Sequence, residues 1–274
     1  MMRSMFAAIS GLKTHQVMLD VTANDISNVN TLGYKASRTT FKDSLSQLQR
    51  GAAGAVGGTG GQNPVQVGLG TQLGSVDSLM GGGSLQYTGN ALDVAIQGDG
   101  WFRIGRGTPP TAPFEYTRAG NFTLDQGGNL VTQEGLYVVA RNVAGAGGTD
   151  QAITIPSGAT NVAIGPDGSV SYVPAAGGAR VTAGFISIAK FANEAGLERA
   201  SGNRWRPTQN SGAENVSTPG GGWGLTVAGT VEMSNVDLAT EFTNMISAQR
   251  GFQANSRVIS TTDEMLQDLV NIKR

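Results

Sequence analysis

The two ends of this chain carry one apolar rhythm, and its middle carries another. Near the N-terminus Met2, Met5, Ile9, Leu12, Leu19 and Ile26 recur at helical spacing, and Gln16 and Ala23 complete an unbroken alternation of three- and four-residue steps. Near the C-terminus Leu238, Phe242, Met245, Phe252, Ile259, Leu266 and Val270 do the same, with Gln249, Ser256 and Asp263 filling the gaps. A stripe that repeats every 3.5 residues is the seam of a helix lying lengthwise against another helix. Neither stretch contains proline, and each has a single glycine, Gly11 and Gly251. Ser234 is the expected cap of the second helix, with Asp237 three residues on to oppose the helix dipole. The second helix would be ~57 Å long at 1.5 Å per residue, longer than a small domain needs. The seams therefore predict helices that pair with each other or with neighbouring copies.

Between the seams the texture changes. Residues 51–61, GAAGAVGGTGG, offer almost no side chain to pack and read as a connector. Beyond residue 64 the period becomes two: Leu92, Val94 and Ile96 alternate, then Phe102 and Ile104, then Ile186, Ile188 and Lys190. The turns DQGGN and GPDG separate further short apolar runs. Short strands between Gly- and Asp-rich turns predict an all-β domain. The fold class expected is α+β. Paired N- and C-terminal α-helices form a coiled-coil-like inner domain, and a central all-β domain is inserted between them. The boundaries expected are 1–28 for the first helix, 29–70 for an extended connector, 71–230 for the β domain and 231–274 for the last helix.

The residues supply little for chemistry. Charged residues are 14% of the chain and the net charge is −1, against about a quarter charged in typical soluble domains. No basic surplus suggests nucleic acid, and no field steers a charged partner. With no cysteine, disulfides and thiol catalysis are excluded. No apolar run approaches the ~20 residues that span a bilayer, so no membrane insertion is expected. The opening MMRSMFAAISGLKTHQ is too quickly polar for a secretory core and lacks a clear cleavage site.

Each candidate for a catalytic, cofactor or metal role has a structural reading beside it. His15 is the sole histidine and cannot build a multi-histidine site, so it reads as a packing residue. Ser10 and Lys13 match S-x-x-K, but the companion K-T-G is missing and the pair lies on a helix seam. Asp93, Asp99, Asp125 and Asp167 stand at strand ends beside glycines, where aspartate stabilises turns. Trp101, Trp205 and Trp223 could form a carbohydrate platform but read as packing residues. No catalytic, cofactor or metal residue is assigned, and the chain reads as a structural subunit rather than an enzyme.

Three stretches carry a family resemblance. The N-terminal one holds S-G-L from Ser10, L-D-V-x-A-N from Leu19 to Asn24, N-V-N-T from Asn28 and G-Y-K from Gly33. The C-terminal one holds E-x-S-N-V-D from Glu232 and Q-R-x-F-Q-A-N from Gln249. Between them lies GNALDVAIQGDGWFRI. Together they resemble the bacterial flagellar rod and hook axial proteins. Asp25 and Ser27 depart from the Asn and Ala more usual in that family. MMRS, SRTTFKD and GGQNPVQVGLGTQLG place the likeness nearest the hook branch, although the chain is short for a hook protein.

The resemblance implies a homopolymer, with terminal helices lining an inner tube and a β domain outside. It implies a flexible hook that acts as a universal joint and transmits torque from rod to filament. A distal rod subunit of the basal body is the alternative, and a secreted carbohydrate-binding module a remote third. The partners implied are further copies of the chain, the distal rod subunit, the hook cap, the hook–filament junction proteins and the flagellar type III export apparatus, with no cofactor. The place implied is the extracellular flagellum, reached without a cleaved signal. The residues expected to carry assembly are Met5, Ile9, Leu12, Leu19, Asn24, Ile26 and Asn28 at one end. At the other they are Leu238, Phe242, Met245, Phe252, Ile259 and Leu266.

Overall fold

A computed structural model of the chain describes residues 2–52, 54, 60–145 and 147–272. It is α+β. Helix α1 spans Met2–Ser27 and helix α2 spans Leu238–Ile272, with β-structure between them. The chain separates into two compact units: Met1–Ser27, Ser37–Ser78 and Asp237–Arg274 form one, and Asn28–Ala36 with Leu79–Val236 forms the other.

In the first unit α1 and α2 run antiparallel, because Gly11 faces Asn255 while His15, one turn later, faces Gly251, one turn earlier. Where an extended connector is expected over 29–70, much of the chain is instead paired. Strand β1 (Ser37–Asp43) lies antiparallel to β4 (Thr71–Ser78), and β2 (Ser46–Arg50) to β3 (Val65–Gly68). The core of the glycine-rich stretch 51–61 lies outside the described residues. Helix α1 meets this ladder through hydroxyls. The amide of Thr71 donates to Ser10 Oγ at 3.2 Å, and Thr14 and Thr71 share a 3.2 Å hydroxyl contact.

Helix α2 begins later than Ser234 suggests. Asp237 is the cap: its Oδ1 accepts from the Ala239 amide at 3.0 Å and its Oδ2 from the Thr240 hydroxyl at 2.7 Å. Residues 233–235 cannot start a helix because their backbone groups serve the β unit. The Met233 amide donates to Ser84 O, and the Asn235 amide to Tyr34 O.

The second unit is built on an antiparallel sheet. Its neighbours in order are Thr160–Ile164, Ser169–Val173, Val181–Ile186, Tyr137–Arg141, Trp101–Arg106, Thr111–Thr117, Arg204–Arg206 and Glu198–Arg199. One core gathers Val94, Ile96, Phe102, Phe122, Leu130, Val138, Ile153, Ile186 and Ile188, and a second gathers Trp101, Tyr116, Phe191, Leu197 and Trp205. The expected in–out alternation is absent at Ile186–Lys190, where Ile186, Ser187, Ile188 and Ala189 are all buried, and at Val94–Gln97, where Val94, Ala95 and Ile96 are all buried. Both stretches are covered on both faces, which removes the polar half of the pattern.

Residues 28–36 belong to this unit and are pinned by long-range partners. Gly33 donates to Glu232 O at 2.8 Å, Ala36 donates to Asn235 Oδ1 at 2.7 Å, and Asn203 Nδ2 donates to Leu32 O at 3.0 Å. Lys35 Nζ donates to Glu232 Oε1 at 2.6 Å and Arg118 Nη1 to Glu232 Oε2 at 3.2 Å, all three side chains being buried. Glu232 thus sits in the strand Thr230–Glu232, paired with Leu85–Tyr87, rather than at the start of the last helix.

Candidate assembly surface

The helix pair leaves a broad apolar surface open, and its packing differs from the seam read in sequence by one residue. On α1 the buried positions are Ala8, Gly11, Thr14, Thr22 and Asp25, and on α2 they are Ala248 and Thr262. Met5, Ile9, Leu12, Leu19 and Ile26 are half-buried beside that line, as are Met245, Phe252, Ile259 and Leu266. Leu238 and Phe242 are exposed, Phe242 by 49%. Asn24 is exposed, and Asn28 is half-buried and lies in the β unit. The positions Gln16, Ala23, Gln249, Ser256 and Asp263, which complete the sequence seam, all face solvent.

The shift has a steric cause. Large side chains on both helices would hold the axes apart, whereas small ones let the backbones approach. Gly11 and Gly251 are the points of contact. A Cβ on Gly11 would lie 2.8 Å from Asn255 Nδ2, and one on Gly251 would lie 2.5 Å from the His15 ring. Asn255 is braced by donating from Nδ2 to Gly251 O at 2.9 Å. The His15 ring meets Phe41 edge-on at 5.7 Å between centroids. Sequence reading missed the roles of Gly251 and Asn255; a lone mid-helix glycine followed four residues later by a polar side chain, on both helices, was the available signal.

What remains outside on the helices is a set of exposed apolar side chains: Met2 and Phe6 on α1, and Phe242, Ile246, Val258, Met265, Leu269, Val270 and Ile272 on α2. The ladder adds Leu45, Leu48, Val65, Val67 and Leu69, all exposed. A two-stranded hairpin is marginal by itself in water, and exposed apolar area on this scale marks an interaction surface.

The residues weighed for chemistry are absorbed by structure. Ser10 Oγ donates to Ala7 O at 2.7 Å and accepts from Thr71, while Lys13 is exposed. Asp125 accepts from the Asn129 side-chain Nδ2 at 3.1 Å and from its backbone amide at 2.7 Å, and Asp167 accepts from the Ser169 hydroxyl at 2.7 Å, which holds both carboxyls below the usual carboxylate range. Asp93 accepts from Thr88, and Asp99 pairs with Lys190 at 2.9 Å. Trp101 and Trp205 stack edge-to-face inside the second core, 5.6 Å between ring centroids, so they offer no surface platform. Among the described residues no group of three or more His, Asp or Glu is placed to hold a metal ion.

An α+β chain with paired terminal helices, an inserted β unit and apolar side chains left bare on those helices is a structural protein of the self-associating kind. Comparison with known families gives that class its particular membership. Residues 5–35 match the family described as flagella basal body rod protein, residues 95–172 the flagellar hook protein FlgE/F/G D1 domain, and residues 227–272 the flagellar basal body rod FlgEFG protein C-terminal family. The chain is 49% identical over 276 residues to the flagellar basal-body rod protein FlgG of Bacillus subtilis, covering 100% of both chains. It is 38% identical over 269 residues to FlgG of Caulobacter vibrioides, covering 97% of each. Its likeness to the flagellar hook protein FlgE of Treponema pallidum is 27%, in an alignment of 467 residues. The chain belongs to the flagellar rod and hook axial protein family.

The buried ion cluster draws one side chain from each of the three matched segments. Gly33 and Lys35 close the N-terminal match, Arg118 lies in the central one and Glu232 opens the C-terminal one, and the fold brings the three side chains together.

Proposed function

We infer that this chain is a structural subunit of the flagellar basal-body rod, whose copies polymerise through their terminal helices. The apolar side chains of α1 and α2 that lie exposed in the single chain are the observation that carries the reading. Its burial between copies supplies an assembly force of roughly 25 cal/mol per Å² removed from water. The subunit works by packing, not by catalysis, and needs no cofactor.

The rod reading replaces the hook reading that the short motifs favour. Full-length likeness to rod proteins supports it, whereas alignment to the hook protein requires a large insertion absent from this chain. A rod must resist bending. The exposed apolar hairpin β2–β3 suits that task, because a neighbour covering it adds a second contact outside the helices. The position in the axis, the neighbouring axial proteins and export without a cleaved signal form part of the same proposal.

Electron microscopy of polymers grown from the purified chain tests it. Straight tubes are expected. Curved, supercoiled tubes would return the assignment to the hook, and failure to polymerise under any condition would overturn the structural reading itself.

A further inference from the structure

We propose that Gly11 and His15 on α1, with Gly251 and Asn255 on α2, form a register lock that determines how the helix pair assembles. Each helix has one glycine, and each glycine receives the polar side chain of the facing helix. On each helix the polar residue follows its glycine by four positions, so the two halves are related as by a local two-fold axis. Gly11 receives Asn255, and Gly251 receives His15.

Glycine inside a helix is unfavourable by about 1 kcal/mol relative to alanine, so neither position serves the helix itself. Both serve close approach. The Cβ of any other residue at Gly251 would lie 2.5 Å from His15 Cε1 and Nε2. The ring has little room to yield, since Phe41 stands against it and its Nδ1 is already buried. Asn255 cannot swing away from Gly11 without losing its bond to Gly251 O.

A slip of one helical turn would set His15 against Asn255 or Ala248-side positions in place of the glycine, and a parallel arrangement would lose both exchanges at once. The lock therefore selects one direction and one register. Through them it selects which side chains remain outside for other copies, namely Phe242 and Ile246 rather than Met245 and Ala248. These four residues are specificity determinants of assembly; the inference rests on the rod reading for its consequence but not for its geometry.

The absence of native cysteine permits a direct test in the full chain. Oxidation of the pair Met18→Cys/Ala248→Cys reports the register, and Met18→Cys/Asn244→Cys reports a slip of one turn. Gly251→Ala is expected to shift cross-linking from the first pair to the second and to raise the critical concentration for polymerisation on the order of 10-fold. Alanine favours helix, so far-ultraviolet circular dichroism should show helicity unchanged or higher, which separates a steric block from helix loss. The double variant His15→Ala/Gly251→Ala should recover both the in-register cross-link and polymerisation. Parental cross-linking and polymerisation in Gly251→Ala would overturn the lock, as would a double variant no better than the single. Failure of the parent chain to polymerise would sink the rod reading, while the cross-linking arm would still decide the lock.

Discussion

Lys35 and Glu232 stand 197 positions apart in the chain, yet the lysine ammonium donates to the glutamate Oε1 at 2.6 Å with both side chains buried. The same ammonium donates to Gly81 O at 2.9 Å, and the same carboxylate accepts from the Gly83 amide at 2.9 Å and from Arg118. Burial pulls the Lys35 ammonium below its ordinary range, and the neighbouring Glu232 carboxylate pushes it back. The β unit is thereby closed by residues from both ends of its sequence.

Removing the carboxylate should be worse than removing the ammonium. Glu232→Ala leaves the Lys35 and Arg118 cations buried without their shared counter-charge, and breaking a buried pair from one side costs about 3–5 kcal/mol. Lys35→Met leaves the carboxylate with Arg118 and the Gly83 amide, and puts an apolar chain of similar length in the buried site. Urea denaturation of the full chain followed by tryptophan fluorescence, which reports Trp101 and Trp205 in the β core, should place Glu232→Ala clearly below Lys35→Met.

The helices were legible in the sequence because a 3.5-residue stripe has one simple reading, and because Pro is absent from both ends. Their packing line was not. Ile9, Leu12 and Phe252 announce themselves as apolar, whereas Ala8, Gly11 and Ala248 fix the interface by being small, a property that hydropathy does not register. The cap misreading at Ser234 has a similar origin. Local chemistry at Ser234 allows a cap, but Asn235 is held by Tyr34 O and holds Ala36, contacts no local pattern contains. Residues 28–36 look like linker in sequence and are fastened by Glu232, Asn235 and Asn203 from far along the chain. Of the residues expected to carry assembly, Leu238 and Phe242 lie exposed in the single chain, and so do the hairpin residues Leu45, Leu48 and Val67, where the alternation in the sequence is weak.

Gly33→Ala should be costly for two separate reasons. Gly33 has φ +65, in the left-handed region that a side chain disfavours. A Cβ there would also lie 2.6 Å from the Ala119 backbone nitrogen, an atom that cannot rotate out of the way. The combined penalty is on the order of 2–4 kcal/mol. Differential scanning calorimetry should show a transition lowered by several degrees, and a change below one degree would contradict the geometry.

The helix pair should loosen slightly as pH rises through the acid range. Glu241 is half-buried in the first turn of α2, and burial holds its carboxyl above the ordinary 4.5. The Asn244 side chain pulls the other way, and Asp25 and Asp237 add to the rise. A folded value above the unfolded one means the contribution is complete below about pH 4.5 and is lost as pH climbs through the folded value. Glu241→Gln should therefore melt higher than the parent at neutral pH, with the gap closing below pH 4. The opposite trend would place Glu241 in a cation's field, which no described neighbour supplies.

Phe242 and Phe252 separate assembly from folding most cleanly. Phe242 is exposed by 49%, so Phe242→Ser removes little that a single chain has buried and should leave its thermal transition within about 0.5 kcal/mol of the parent. If copies cover that ring, the same substitution forfeits ~1.5–3 kcal/mol per contact between copies, which in a cooperative polymer raises the critical concentration by more than tenfold. Phe252 is half-buried in the single chain, so Phe252→Ser should cost some stability there as well and abolish polymerisation, while the β unit keeps its near-ultraviolet spectrum. Sedimentation of polymer against a concentration series, beside circular dichroism of the soluble fraction, resolves the two. Normal polymerisation of Phe252→Ser would remove the helix pair from the assembly contact, because no other substitution on α2 takes as large a ring from the packed side.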